Sequence, residues 1–335
     1  MLRPTEVRSG EHLKEADASG AHQKLQLEIE ISRQFPYRFI ALAFGIVQTA
    51  TLLIGAALLR IFGFRKELLD QELATHYHNV PEMALHKKIE LQAFLEQTYT
   101  GKGLDLGCGN GVVGGILTRM ASLDGLHGID HDPAARNLAM ENGYAAFTVA
   151  ELATMEPMER TFDYAISVCV LEHVRDLSRA LENIKRLLRP GGKLIFSTPA
   201  PAYRKKMLGY RVRSLFRLRA SAEAFASKCD LSSMHYNILS ENGWRERLAF
   251  AGFKVIQVEP LFSQAQLGFY DLLNWQIYFP RFYCADKLQN FAFKHPHFKR
   301  LACWATAVVV GAMTASRANK ENATHYMIVA TADGE

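Results

Sequence analysis

Pairing is what the cysteines of this chain lack. There are five, Cys108, Cys169, Cys229, Cys284 and Cys303, and no two stand in a Cys-x-x-Cys spacing. An odd, scattered set excludes a disulfide-stapled scaffold and a zinc-finger cluster, and it implies a reducing compartment. A strong charge imbalance is missing too. The formal net charge is +5 with 22% charged residues, so the overall electrostatics do not call for nucleic acid as a partner, and no RNA-binding module accompanies the arginines. What is present is 335 residues with 49% hydrophobic content, enough to bury the core of one large α/β domain with appendages.

Two local absences carry more. Residues 39–59, FIALAFGIVQTATLLIGAALL, are 21 positions without a formal charge, bounded by Arg38 and by Arg60, Arg65 and Lys66. That length suits one helix across or embedded in a bilayer, and the polar lead of 38 residues fits a cleavable signal poorly. The segment 1–34 is polar and mixed in charge; 35–66 reads as a membrane-anchor helix. Residues 203–219 hold no acidic residue but contain Arg204, Lys205, Lys206, Arg211, Arg213, Arg217 and Arg219 between apolar side chains. Such a basic, apolar segment suits an anionic membrane surface or an acidic head group, although solvated basic faces have the same composition.

From Pro81 onward short apolar strands alternate with amphipathic stretches, the pattern of a parallel sheet wrapped by helices. Strands are predicted near 103–106, 126–129, 145–149, 164–168, 193–197 and 254–258, with a last one at 325–330. Helices are predicted over 82–97, 112–121, 133–142, 177–188 and 240–251, the last opened by Ser240 and closed before Gly252. Between the sixth and seventh strands lies an apolar insertion, 261–322, rich in aromatics such as Trp275, Tyr278 and Trp304. It must cover the core, dip into a membrane interface or cross an even number of times, because its flanking strands share one sheet; the interfacial reading accommodates the aromatics.

The strongest chemical signal is Leu104-Asp105-Leu106-Gly107-Cys108-Gly109-Asn110-Gly111, an apolar strand that runs into a glycine-dense turn and then a helix. Glycine there allows positive φ and close approach of a ligand to the backbone. Asp130 ends the second strand 23 residues beyond Gly107, where a carboxylate accepts hydrogen bonds from ribose hydroxyls. A plain tight turn and a dinucleotide site share parts of this pattern, but Val112 replaces the last glycine of the Gly-x-Gly-x-x-Gly fingerprint.

These residues resemble the S-adenosylmethionine (SAM) motif of class I methyltransferases. Thr148-Val149-Ala150-Glu151-Leu152 resembles the exit of that family's third strand, Phe162 to Ser167 followed by Val170-Leu171-Glu172-His173-Val174 its fourth strand and loop, and Leu188 to Leu194 its turn into the fifth. The resemblance implies a seven-stranded Rossmann-like sheet over 67–335 with helices on both faces and SAM as cofactor. It implies that Gly107, Gly109 and Asp130 hold SAM, with Asp105, Cys108, Glu151 and Val168 beside them. Within the family the stretch 148–199 looks most like the ubiquinone-biosynthesis O-methyltransferases, some of which hold a divalent metal on Glu-x-x-Glu-His. Here the first glutamate is Cys169, so no metal is assigned. His173 and His235 are the candidate bases for an acceptor hydroxyl, imidazole titrating near neutrality; a histidine without catalytic duty is the competing reading of each.

The expected activity is methyl transfer to an apolar or amphiphilic acceptor at a membrane surface, with the catalytic domain on the cytoplasmic or another reducing side. A quinone-type or lipid precursor leads, and a lipid-linked saccharide or envelope glycolipid is the second enzymatic reading. A non-catalytic SAM-binding membrane scaffold and an NAD dehydrogenase are the alternatives from other classes.

Overall fold

The computed structural model describes residues 50–333 apart from 62, 64, 157–160, 275–294, 316 and 322. A helix over 50–61 (α1) is followed by α2 (Leu68–Tyr77) and α3 (Pro81–Leu95). The alternating region then runs β1 (Gly103–Leu106), α4 (Val112–Ala121), β2 (Leu126–Asp130), α5 (Ala135–Glu141), β3 (Ala146–Val149), β4 (Phe162–Val168), α6 (Leu177–Leu187) and β5 (Leu188–Pro199). Three helices follow, α7 (Ala202–Lys206), α8 (Leu208–Leu215) and α9 (Arg219–Ser232), then α10 (Glu241–Phe250), β6 (Phe253–Leu261), α11 (Gln264–Leu273), α12 (Pro296–Met313) and β7 (His325–Ala332).

All seven strands form one sheet in the order β3-β2-β1-β4-β5-β7-β6. The first five are parallel to one another, and β7 runs antiparallel to both β5 and β6. Strand order reverses between β1 and β4, so a crevice opens beyond their carboxyl ends, where open α/β sheets take their ligands.

Period-two alternation decides which side chain goes to which face. On β5 Leu194 and Phe196 join Ile328 and Ala330 of β7 in one core, while Ile195, Met327 and Val329 point into the other. The first core is closed by α6 and α10: Trp244 and Leu248, one helical turn apart, are both fully buried, and the Trp244 ring meets Phe196 at 4.9 Å. Removing that indole would cost about 3–5 kcal/mol, the usual range for a large aromatic truncated in a core. Ser240 caps α10 as expected, its hydroxyl accepting from Gly243 N at 3.1 Å. The opposite core is closed by α3 and α4 through Leu85, Phe94 and Ile116.

One expectation changes. The apolar stretch at 301–315 is not interfacial: α12 packs on α2 and α3 and buries Ala305, Val308 and Val310, so it covers the core. Its β-branched and alanine positions serve helix packing. Positions 35–49, 62 and 64 of the expected anchor, and Trp275 and Tyr278 of the insertion, lie outside the described residues. Residues 50–61 of the anchor are helical and lay Leu52 and Ala56 against Ala305 and Val309 of α12, leaving Ile54, Leu58 and Ile61 exposed. Among the described residues no helix is long and apolar enough to cross a membrane.

Candidate active site

The turn after β1 is held by backbone bonds that only its glycines permit. Gly107 N and Cys108 N both donate to Ile129 O, at 2.8 and 3.1 Å, which ties the turn to the end of β2. Gly107 has φ +72°, and a Cβ there would stand 2.5 Å from Val170 Cγ1 of the loop after β4, so the turn and that loop touch because position 107 has no side chain. Gly109 has φ +51°, and nothing lies within 4 Å of where its Cβ would stand. That open space is part of a cleft of about 640 Å³ lined by Gly109, Asn110, Asp130, Asp132, Pro133 and Leu138.

Asp130 sits at its floor. Oδ2 accepts from Gly109 N at 2.8 Å and Oδ1 from Asp132 N at 2.9 Å. Each carboxylate oxygen keeps a further lone pair, which suits the vicinal hydroxyls of a ribose. The residues therefore fit an adenosyl cofactor: a bare backbone turn, a cleft and a carboxylate fixed by two amides.

Asp105 stands behind this turn, buried, and its Oδ2 accepts from the Tyr144 hydroxyl. Burial pushes its carboxyl up to about 7 against the pull of that bond. Cys108 is half-buried, with its thiol raised by burial and by the nearby Asp105 and Asp130 charges. At the exit of β3 the Glu151 side chain is exposed while its carbonyl accepts from Thr154 N and Met155 N. Val168 ends β4, half-buried and paired with Ser197 of β5.

Cys169 follows with φ +53°, a left-handed conformation costly for a side chain other than glycine. Its amide donates to Ser197 O and Ser197 Oγ, at 3.2 and 3.1 Å, and its thiol donates to Glu90 Oε1 at 2.9 Å. Glu90, on α3, is the hub of a buried network. Ser197 Oγ donates to Oε1 at 2.6 Å, while Lys87 Nζ and His86 Nδ1 reach Oε2 at 2.8 and 3.0 Å. Burial works to raise the Glu90 carboxyl, but Lys87, His86 and these bonds hold it well below the usual carboxylate range. Beside it a row of rings follows: His86 lies 5.4 Å from His325 and 4.6 Å from Phe262, and Tyr203 bridges His325 and His235 at 5.6 and 6.0 Å.

The structure brings the two predicted histidines together. Their rings are 5.1 Å apart, joined by the pairing of the loop after β4 with the segment after α9: Tyr236 N and Asn237 N donate to Glu172 O, and Asn237 Nδ2 donates to Leu171 O and Val174 O. Burial, then the neighbouring His235, lowers the His173 imidazole. Burial pushes the Glu172 carboxyl up to about 8. His86, Lys87, Glu90, Ser197 and His325 went unread in the sequence. For α3 a signal existed, since His86 and Glu90 are polar residues one turn apart on an otherwise core-forming helix. For His325 none did, because its pairing with Pro199 of β5 and Leu261 of β6 is what brings it here.

Residues 78–258 match the family model of a methyltransferase domain. Among curated proteins, the ubiquinone biosynthesis O-methyltransferase of Alkalilimnicola ehrlichii is 38% identical over 104 residues, 28% of this chain and 40% of that protein. The enzyme of that name from Paraburkholderia phymatum is 41% identical over 110 residues, 30% of this chain and 45% of its own. The chain thus spans less than half the length of these relatives. Among solved structures, a putative sarcosine dimethylglycine methyltransferase from Galdieria sulphuraria superposes with a TM-score of 0.44 at 15% identity, covering 75% of this chain and 85% of that one.

Proposed function

We propose an acceptor class and a place of action for this chain, which belongs to the SAM-dependent methyltransferases of class I. It methylates a hydroxyl oxygen of an apolar or amphiphilic acceptor, a quinone-type or lipid precursor, at a membrane surface. Asp130 would hold the ribose of SAM, and Gly107 and Gly109 would let the backbone approach it, with Asp105, Cys108, Glu151 and Val168 supporting the surrounding turn and strand exits. SAM would supply an electrophilic methyl on a sulfonium whose charge is lost on transfer, so the protein's work would be alignment of the acceptor and exclusion of water. The acceptor's proton is lost at the His173–His235 pair.

The observation that carries the oxygen acceptor is that imidazole pair, held beside the loop after β4 by four hydrogen bonds from Tyr236 and Asn237. The O-methyltransferase relatives point the same way. Support for the membrane comes from the turn between α8 and α9. Leu215, Phe216 and Leu218 are 79%, 70% and 55% exposed there, flanked by Arg211, Arg217 and Arg219. Other basic residues of this segment are turned onto the protein: Arg204 pairs with Asp230, Lys206 donates to the carbonyls of Glu321 and Ala323, and Arg213 stacks on Phe225 at 4.5 Å. An apolar tip ringed by arginines suits an anionic bilayer. The organisation is a polar segment 1–34, an anchor 35–66 and a catalytic region 67–335 in a reducing compartment, where Cys108, Cys169, Cys229 and Cys303 stay reduced.

The test is to incubate the full chain in lipid nanodiscs with methyl-labelled SAM and prenylated catechols, prenylated anilines or membrane extract. The expected product is an O-methyl ether, formed faster in anionic than in neutral nanodiscs. Label on nitrogen alone, or none on any hydroxyl acceptor, would refute the acceptor class.

A further inference from the structure

The uncharged run 39–59 has the length of one span, yet its second half is already committed to protein. From position 50 the chain is the helix α1, whose Leu52 and Ala56 share a core with Ala305, Val308 and Val309 of α12 and Leu273 of α11. Gly55 faces the same helix, a Cβ there standing 3.9 Å from Val309 Cγ2. α12 in turn packs on α2 and α3. What remains of the run ahead of this packing is 39–49, 11 residues. As a helix these would reach about 16 Å, against a hydrocarbon thickness of about 30 Å. A span that continued through α1 would carry α12, and the catalytic sheet with it, into the hydrocarbon.

The face of α1 turned away from α12 is built for a different contact. Ile54, Leu58 and Ile61 fall at i, i+4 and i+7, one stripe of a helix, and each is at least half exposed. Phe298 and Leu301, near the start of α12, are exposed as well. Basic residues end α1 and open α12: Arg60, Arg65, Lys299 and Arg300 are exposed. Burial raises the Cys303 thiol while the charges of Lys299 and Lys66 pull it down, which places both basic sets at one end of the helix pair. The carboxylates of the same stretch are turned onto other cations, Glu67 and Asp70 onto Lys88 at 2.7 and 2.8 Å and Glu72 onto Arg119 at 2.9 Å. α11 joins this face to α8: Leu273 packs with α1, Asp271 accepts the Leu208 amide at 2.6 Å, and Leu272 between them is exposed.

We propose that α1 is an in-plane membrane helix, its Ile54, Leu58 and Ile61 stripe seated with Phe298 and Leu301 in the head-group region of one anionic leaflet, which the chain enters without crossing. An apolar stripe with cations at its rim is what such an interface binds. A second copy of the chain is the poorer partner, because a two-fold contact through this stripe brings the same positive set against itself. The inference rests on the membrane reading above and states how the chain is held there. α11 carries Leu272 outward and Tyr270 inward, where its ring lies 5.7 Å from that of His86, so the membrane face and the site are one helix apart. An acceptor dissolved in the same leaflet then reaches the site without passing through bulk water.

The experiment digests inside-out membrane vesicles from bacterial cells expressing the full chain with trypsin, which has sites at Lys14 and Lys24 of the polar lead as well as in the catalytic region. The lead and the catalytic region should be cut together, from the same side. In a second arm the detergent-solubilised chain is diluted onto vesicles of phosphatidylglycerol and phosphatidylcholine in equal parts. The double variant Ile54→Glu, Leu58→Glu should bind these about tenfold or more weakly than wild type, with SAM binding and sedimentation unchanged because both side chains lie outside the core. The protease arm needs no variant to fold. A lead protected until detergent is added, while the catalytic region is cut, means a span and overturns the proposal. A double variant that binds vesicles as wild type does, or that loses self-association in place of vesicle binding, overturns it too. Wild type that binds no vesicle and leaves the membrane fraction overturns this proposal and the membrane reading together, whereas a protected lead on membrane-bound chain overturns the proposal alone.

Discussion

Glu90 is the residue on which a single substitution should tell most about how this site is held together. Its side chain is 1% exposed and that of its partner Lys87 11%, so solvent screens the pair little. Glu90→Gln removes the charge, keeps the shape, and leaves Lys87 as a buried cation without its counter-ion. Breaking a buried pair from one side costs about 3–5 kcal/mol, whereas a lost neutral bond to Ser197 alone would cost about 1 kcal/mol. At about 2 °C per kcal/mol for a chain of this size, the melting temperature should fall by about 6–10 °C. Adding Lys87→Met removes the orphaned charge and should recover most of that loss, because the cost of the one-sided break lies in the uncompensated buried cation. The pH dependence has a definite sign. The Glu90 carboxyl is depressed in the folded state, so its contribution is complete above the unfolded value near 4.5 and disappears as pH falls through the folded one. Wild type should therefore lose its advantage over Glu90→Gln in acid. Urea denaturation of both variants between pH 3 and 8 measures this. A single variant within about 1 kcal/mol of wild type, or a double variant no more stable than the single, would refute the assignment of Glu90 as a charged hub.

Asp105 should behave in the opposite sense. Its carboxyl rises from 3.8 to about 7 on folding, so the native state binds the extra proton in that window and stability falls as pH rises across it, by up to about 4 kcal/mol. Asp105→Asn, which keeps an acceptor for Tyr144, should erase that slope in a comparison of urea midpoints from pH 4 to 8. At the turn after β1, Gly109→Ala should fold at a cost of about 1 kcal/mol for its positive φ, yet bind SAM weakly because its methyl enters the cleft. Gly107→Ala should be less stable still, its Cβ meeting Val170 at 2.5 Å; melting curves beside SAM titrations would separate the two. Ser240→Ala should cost about 1 kcal/mol through the lost cap of α10, read by urea denaturation.

The alternating half of the fold was open to reading from the chain alone. β1 and α4 fall at the expected residues, because an apolar run that ends in glycines and resumes as an amphipathic helix has few other solutions. Asp130 was legible for the same reason: a carboxylate at a strand end, at a set distance from the turn, needs no tertiary knowledge. The helices α7 to α9 were hidden, since a run of arginines between apolar residues reads equally as a helix or as a charged surface loop. The fate of 301–315 was undecided because an apolar helix looks alike against protein and against lipid; only its packing on α2 and α3 settles it. The Glu90 network joins residues 79 and 107 positions apart, and no local pattern carries such pairings.

The most direct test of the account is calorimetric titration of the full-length, detergent-solubilised chain with SAM and S-adenosylhomocysteine, beside Asp130→Asn and Asp130→Ala. Wild type should bind both. Losing two charge-assisted bonds at about 1.5 kcal/mol each should weaken Asp130→Ala by about 100-fold, with Asp130→Asn between the two. A natively folded Asp130→Ala that binds SAM as tightly as wild type would contradict the placement of the cofactor in this cleft.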